Sequence, residues 1–359
     1  MQTQRKELNF EGQSIFVGID VHLKSWTVSI FTENLLHKTF SQPPKAELLA
    51  DYLKLNFPNA SYFSTYEAGF CGLWAHFKLK ELGIQNIVVN PVDVPSTQKD
   101  QLRKTDAIDS NKLGRSLRKE ELIGIYIPQP ETLEDRTLIR VRFSIVKDMV
   151  RLKQRIKSLL YLYGIDYPDE FQNTNTHWSK RFINWLKTVE LQYSTGTDAL
   201  NLLIKEAEQQ RLILLEATQK IRTLSKTERY KKNIELITSV PGIGLITGMM
   251  LLAEIENIKR FESSDKLAGL IGLVPDCHSS GPQEKKGEMT TRGQYFMRKG
   301  IIECSWVAAS KDPALSLAYS TYCKRMEPNK AITRIARKLT NRIFSVLKNE
   351  KKYEIGIVK

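Results

Sequence analysis

Two periods of apolar residues divide the chain. Up to about residue 125 the apolar runs are short and rich in β-branched and aromatic residues. Ser14–Asp20 and Lys24–Phe31 predict neighbouring strands, and Leu35–Phe40 predicts a third. Leu48, Leu49, Tyr52 and Leu53 give Lys45–Asn56 helical spacing. Tyr62–Tyr66 then predicts a strand, Gly72–Leu82 a helix, and Asn86–Asn90 a short buried strand stopped by Pro91. From 130 to 226 the period becomes helical. Ile145, Met149, Leu152, Ile156, Leu159 and Tyr163 recur at steps of three and four. Leu200, Leu203, Ala207, Gln210, Leu214, Ala217, Ile221 and Leu224 do the same, a heptad seam interrupted once by Gln210. Between them lie a break at Tyr163–Pro168 and a helix near Trp178–Leu191. The pattern predicts an antiparallel coiled-coil arm, serving either self-association or an intramolecular hairpin.

Beyond residue 231, Val240-Pro-Gly-Ile-Gly244 joins two apolar helices, Asn233–Ser239 and Leu245–Ile255. Phe261–Leu273 follows, then a polar loop from Val274 to Arg292, then helices including Asn329–Lys348. The fold class expected is α/β plus all-α. Three early strands followed by alternating helix and strand is the order of an RNase H-like sheet. The chain reads as three domains: 14–125 α/β, 126–230 helical coiled coil, and 231–359 a C-terminal helical domain with a helix-hairpin-helix-like motif.

Composition sharpens this picture. The 359 residues are 41% hydrophobic and 26% charged, and carry a net charge of +14. Cations cluster: Arg140–Lys157 holds seven against one acid, and Lys324–Lys352 ten against two. Such clustering favours a polyanionic partner. Every apolar stretch is shorter than the ~20 residues of a membrane span. The polar N-terminus does not read as a signal peptide. Cys71, Cys277, Cys304 and Cys323 show no metal-ligand spacing and suggest a reducing, cytoplasmic setting without disulfides.

The candidate chemistry lies in four acids. Asp20 and Glu67 each end an apolar strand, and Asp106 and Asp109 stand three apart, one turn of one helix face. Two hard Mg²⁺ ions roughly 4 Å apart, held by carboxylates, form a phosphoryl-transfer site. A carboxylate ending an apolar strand is costly unless something pairs it. Glu67 alternatively caps the next helix, and the acid pair alternatively balances Arg103 and Lys104 on a surface. His22 follows Asp20 closely, but a lone histidine usually packs or hydrogen-bonds, so it is left outside the site. A serine before glycine, in Pro275-Asp-Cys-His-Ser-Ser-Gly281, is a nucleophile only with a base or metal to activate it. Otherwise it is a turn serine. Gly242 and Gly244 expose backbone N–H groups suited to phosphates, or serve a plain helix–turn–helix contact.

These motifs carry a resemblance. Gly18-Ile-Asp20, Tyr66-Glu67-Ala-Gly69 and Lys104-Thr-Asp-Ala-Ile-Asp109 resemble the RuvC-like half of the DEDD transposases of the insertion-sequence one-ten family, to which the Piv-type DNA invertases are related. Val240-Pro-Gly-Ile-Gly244, Gly269-Leu-Ile-Gly-Leu-Val-Pro275, Ser280-Gly281, Thr291-Arg-Gly293 and Arg298 resemble its C-terminal half, in order. The resemblance implies an RNase H-like domain in which Asp20, Glu67, Asp106 and Asp109 bind Mg²⁺. It implies a nucleophilic serine directly before glycine, which maps to Ser280 rather than Ser279. It also implies subunits that share a composite site, and a structured noncoding bridge RNA that pairs with target and donor DNA. Ser110 departs from the family pattern, where alanine is common.

The expectation is a Mg²⁺-dependent, RNA-guided transposase moving its own insertion sequence. It acts on double-stranded DNA as a dimer or tetramer, without a membrane. Lys104, Arg292 and Arg298, with Gly242 and Gly244, are its expected nucleic-acid contacts. A RuvC-like Holliday-junction endonuclease, a Piv-type invertase and a non-enzymatic architectural protein are the rivals.

Overall fold

The computed structural model describes residues 9–95, 105–279 and 284–355, with backbone alone at 277–279 and 284–288. The chain forms two compact units, the first ending at Ile127 and the second starting at Pro128.

The first unit is built on a five-stranded sheet: β1 (Ser14–Val21), β2 (Trp26–Phe31), β3 (Leu36–Gln42), β4 (Ser61–Glu67) and β5 (Gln85–Val89). Their spatial order is β3-β2-β1-β4-β5. The first three strands pair antiparallel, whereas β1–β4 and β4–β5 are parallel. The sequence predicts these five strands in chain order and the pairing of β1 with β2. Helices α1 (Ala46–Asn56) and α2 (Trp74–Glu81) supply the crossovers. Alternation along β1 sends Ile15, Val17 and Ile19 into a core with Trp26, Val28, Leu49, Leu53 and Leu79, which covers one sheet face. The opposite face receives α3 (Asp106–Arg118), whose Leu113 is buried beside Val89 and Val94.

The second unit is mainly helical. Helices α4 (Pro130–Leu162) and α6 (Ser194–Leu224) have 33 and 31 residues. Arg142 donates to Thr218 Oγ1, and Leu152, Ile156 and Leu160 share a core with Leu200, Ile204 and Ala207, so the two helices run antiparallel. Of the expected seam, Leu159 is only partly buried, and Tyr163 is 53% exposed beyond the last helical residue. Leu160, four after Ile156, takes the buried position. A short helix α5 (Lys180–Leu186) closes this core with Phe171 and Phe182.

The rest of the unit comprises α7 (Glu228–Thr238), α8 (Leu245–Ile255), α9 (Ser264–Ile271), α10 (Tyr295–Lys311), α11 (Pro313–Cys323) and α12 (Pro328–Asn349). Ile332, Ile335, Ala336, Leu339 and Ile343 of α12 face one core with α8 and α10, as their spacing predicts. The segment expected as a polar loop contains a hairpin instead, β6 (Pro275–Ser279) paired antiparallel with β7 (Glu284–Met289). Its Glu-Lys-Lys-Gly-Glu strand lacks the apolar alternation that would have signalled it. Part of the basic stretch on α4 is spent internally. Arg140 Nη2 lies 2.6 Å from the buried Glu254 carboxylate, and Arg136 donates to the Ala253 and Glu254 carbonyls. No described helix is long and apolar enough to cross a membrane.

Candidate functional site

The four acids belong to three elements of the first unit. In the parallel β1–β4 register Phe16 pairs with Phe63, Gly18 with Thr65 and Ile19 with Tyr66. Period-two alternation then places Asp20 and Glu67 side by side, on the face that carries Gly18 and Phe16 rather than the Ile19 core. They stand at the carboxyl ends of the two central strands. The Phe16 and Phe63 rings stack on that same face, 5.6 Å apart.

Helix α3 lies directly on this face, because two glycines allow it. A Cβ on Gly18 would meet the Ser110 carbonyl oxygen at 2.0 Å and the Gly114 nitrogen at 2.3 Å. The strand and helix backbones therefore touch, which only hydrogen in place of a side chain permits. Ser110, the departure from the expected alanine, is fully buried, and its hydroxyl lies 2.8 Å from Ser29 Oγ. Ser29 in turn meets Thr39 Oγ1 at 2.9 Å, and Asn111 donates to the same Thr39 oxygen. Thr105 caps the helix by accepting from the Ile108 N–H. Asp106 and Asp109 thus lie in the first turn, where the helix dipole favours negative charge.

The acids have unequal partners. His22 Nε2 lies 3.3 Å from Asp20 Oδ2, with Asp20 22% and His22 45% exposed. One ligating atom each from Asp20, His22 and Asp106 can be chosen so that all lie within 4.8 Å of one another. Lys112 Nζ lies 3.6 Å from Glu67 and 3.7 Å from Asp109, with its side chain only 11% exposed. Burial raises the Asp20 carboxyl above its ordinary value. His22 draws it back, and the Asp106 and Asp109 charges push it further up. The carboxylate oxygens suit a hard divalent cation, and the imidazole adds a nitrogen donor of the kind that borderline first-row ions accept.

His22 and Lys112 are therefore members of this cluster that sequence reasoning passed over. Their signals were positional. His22 stands two residues beyond Asp20, and Lys112 one helical turn beyond Asp109.

The remaining predicted residues lie in the second unit or outside the described residues. Ser280 and Lys104 are outside them. Gly242 has φ +88°, and a Cβ there would meet the Cys304 carbonyl oxygen at 2.4 Å, so its glycine serves close packing on α10. Gly244 is the N-cap of α8, with open space around it. Arg298 is 9% exposed, and its guanidinium donates to the Ile271, Thr290 and Arg292 carbonyls. It holds the turn before α10 rather than facing a phosphate. Arg292 is exposed.

A family model for the DEDD transposases of IS110 elements, described as "Transposase", matches residues 17–165 and so includes all four acids. A second, described as "Transposase IS116/IS110/IS902 family", matches residues 234–320. The chain belongs to the IS110 transposase family. The two matches together span more than half of it. Members of this family cut and rejoin DNA, and a DEDD domain implies an RNase H-like fold and use of a divalent metal. Among curated relatives, the putative transposase y4rJ of Sinorhizobium fredii (strain NBRC 101917 / NGR234) is 26% identical over 91% of this chain and 90% of its own length. The transposase for insertion sequence element IS1533 of Leptospira borgpetersenii is 24% identical over 70% of this chain and 72% of its own. Putative transposase y4qE of the same Sinorhizobium strain is 26% identical over 67% of this chain, and the match spans 57% of that relative.

Proposed function

We propose that this IS110-family chain excises and inserts its own insertion sequence by Mg²⁺-dependent strand exchange through a covalent phosphoserine intermediate. The observation that supports its metal-dependent part is the gathering of Asp20 with Asp106 and of Glu67 with Asp109 at one end of β1 and β4; the serine step rests on the family resemblance. Those four residues would hold Mg²⁺. When bound there, Mg²⁺ would neutralise the scissile phosphate and favour attack upon it. Ser280 is the nucleophile: its Oγ forms a bond to phosphorus as one deoxyribose oxygen leaves, and its proton passes to solvent. The leaving oxygen takes up a proton. A DNA hydroxyl then attacks the phosphoserine and restores the serine, so no net bond energy is needed. Arg292, which is exposed, contacts the DNA backbone.

Choice of target and donor sequence falls to a bridge RNA held with the DNA on the basic surface of a homo-oligomer, in a cytoplasmic setting. The net charge of +14 supports a partner of this kind, and binding should weaken steeply with salt. The coiled-coil arm of 126–230 and a serine-bearing domain of 231–359 complete the proposed division of labour.

A denaturing gel of purified protein with Mg²⁺, labelled element-junction DNA and RNA transcribed from the element's flank tests the reading. A covalent protein–DNA adduct is expected, lost in Ser280→Ala and in Asp20→Ala. Omitting the RNA tests guidance. Cleavage without an adduct, unchanged in Ser280→Ala, would replace the serine mechanism with hydrolysis by the acids alone.

A further inference from the structure

The cluster at the end of β1 and β4 already contains one cation, and it is covalently attached. Lys112 Nζ sits within 3.7 Å of both Glu67 and Asp109, on a side chain that is 11% exposed. An ammonium removed from water to that degree is stable only against carboxylates, and each of those carboxylates gains the same from it. Lys112 also lies one turn from Asp109 on α3, a helix fixed on the sheet by the Gly18–Gly114 contact and the Ser29–Ser110 hydrogen bond. Its reach to Glu67 follows from the rigid frame. On the other side of the cluster, Asp20 has His22 at 3.3 Å and a repelling Asp106, with ligand atoms of all three gathered within 4.8 Å. The four acids thus fall into two pairs: Glu67 with Asp109, which holds an ammonium, and Asp20 with Asp106, which does not.

Resting on the metal-site reading above, we propose that Lys112 is a built-in competitor for the second metal ion. In the DNA-free chain one divalent cation binds to Asp20, His22 and Asp106. The Glu67–Asp109 half accepts a second ion only when Lys112 is drawn off it. The substrate supplies the pull: a DNA phosphate entering the site offers the ammonium a new anionic partner. Lys112 then holds the scissile strand while the carboxylates it vacates become free for metal. Two-metal chemistry requires both ions. The complete site is therefore assembled only on DNA.

The test is a count of bound Mn²⁺, by calorimetry and by the electron paramagnetic resonance of free Mn²⁺, on the full chain. Wild type should bind about one ion per chain without DNA and about two with element-end duplex DNA. Lys112→Met should bind about two without DNA, the second at least roughly tenfold tighter than in wild type. Lys112→Arg, which keeps the charge, should behave as wild type. Wild type filling both sites without DNA, or Lys112→Met still binding one, overturns the proposal. The ions bound by the same duplex alone are subtracted from the count with DNA, and where Lys112→Met fails to fold, Lys112→Gln serves the same DNA-free comparison. Asp20→Asn separates the two levels of inference. Full Mn²⁺ binding in Asp20→Asn would remove the acid cluster as a metal site, whereas its loss with an unchanged Lys112→Met count would remove only the role of the lysine.

Discussion

Gly18 and Gly114 touch backbone to backbone, a Cβ on Gly18 standing 2.3 Å from the Gly114 nitrogen. This contact sets the depth at which α3 sits on the sheet, and hence the distance of Asp106 from Asp20. Gly18→Ala must push the helix away, because the atoms it meets are all backbone. Gly114→Ala meets the Phe31 ring at 2.7 Å, which can yield, and the Gly18 backbone nitrogen only at 3.0 Å, a milder clash than those at Gly18. Gly18→Ala should therefore cost about 3 kcal/mol and Gly114→Ala less, within the range for overpacking. Hydrogen exchange of the β1 amides, measured against denaturant, reads the difference. Equal costs would mean that the strand–helix contact is softer than this.

The hydroxyl bridge from Ser110 to Ser29 makes a second, milder prediction. Ser110→Ala leaves Ser29 its Thr39 partner, so it should cost only about 1 kcal/mol. Ser110→Val adds a branched side chain to a fully buried position and should cost more. In a double-mutant cycle, Ser29→Ala and Ser110→Ala should cost less together than the sum of the two. Additive losses would show that the two hydroxyls act independently.

These two contacts mark where the sequence stops being legible. The positions of the five strands along the chain followed from the runs at Ser14, Lys24, Leu35, Tyr62 and Asn86, because short β-branched and aromatic runs report buried strands. Asp20 and Glu67 were visible because carboxylates at strand ends are costly to leave unpaired, and Asp106 and Asp109 because a spacing of three puts both on one helix face. The close approach at Gly18 was not visible. A glycine in a strand signals freedom or proximity without saying what comes near. Ser110 read as a tolerated substitution, since its partner Ser29 is 81 residues away in sequence. Lys112 carried no signal beyond its place one turn after Asp109; its tie to Glu67 comes only with the folded β1–β4 frame. The β6–β7 hairpin was hidden for a different reason: its second strand carries one apolar side chain, Met289, at its last position.

Arg292 and Arg298 share a turn but should fail in opposite ways. Arg298 ties together the carbonyls of Ile271, Thr290 and Arg292 from a buried position. Arg298→Ala should cost about 2–3 kcal/mol in thermal or urea unfolding. Arg298→Lys should rescue little of this, since one ammonium cannot replace a planar fork. Arg292 is exposed, and Arg292→Ala should leave stability unchanged. It should weaken DNA binding and lower the salt slope by about one phosphate contact. A stable Arg298→Ala variant with weakened DNA binding would reverse the assignment.

Asp20 gives the prediction in which sign matters most. Burial, with Asp106 and Asp109 nearby, raises its carboxyl above the ordinary value of 3.8 despite the pull of His22. The folded chain therefore holds this proton more tightly than the unfolded chain does. Stability from that group is present below the unfolded value and is lost as pH rises through the raised folded value. At neutral pH, without metal, ionised Asp20 is a net burden. Asp20→Asn keeps the shape and removes the charge, so in EDTA at pH 7 it should melt above wild type. The gap should narrow as pH falls through the raised range of the folded carboxyl, where wild type regains its proton. Mg²⁺ should reverse the order, raising the wild-type melting temperature and leaving Asp20→Asn nearly unmoved, because only the carboxylate can answer the cation. An Asp20→Asn chain that melts below wild type in EDTA would show that its hydrogen bond to His22, rather than charge repulsion, governs this corner of the fold.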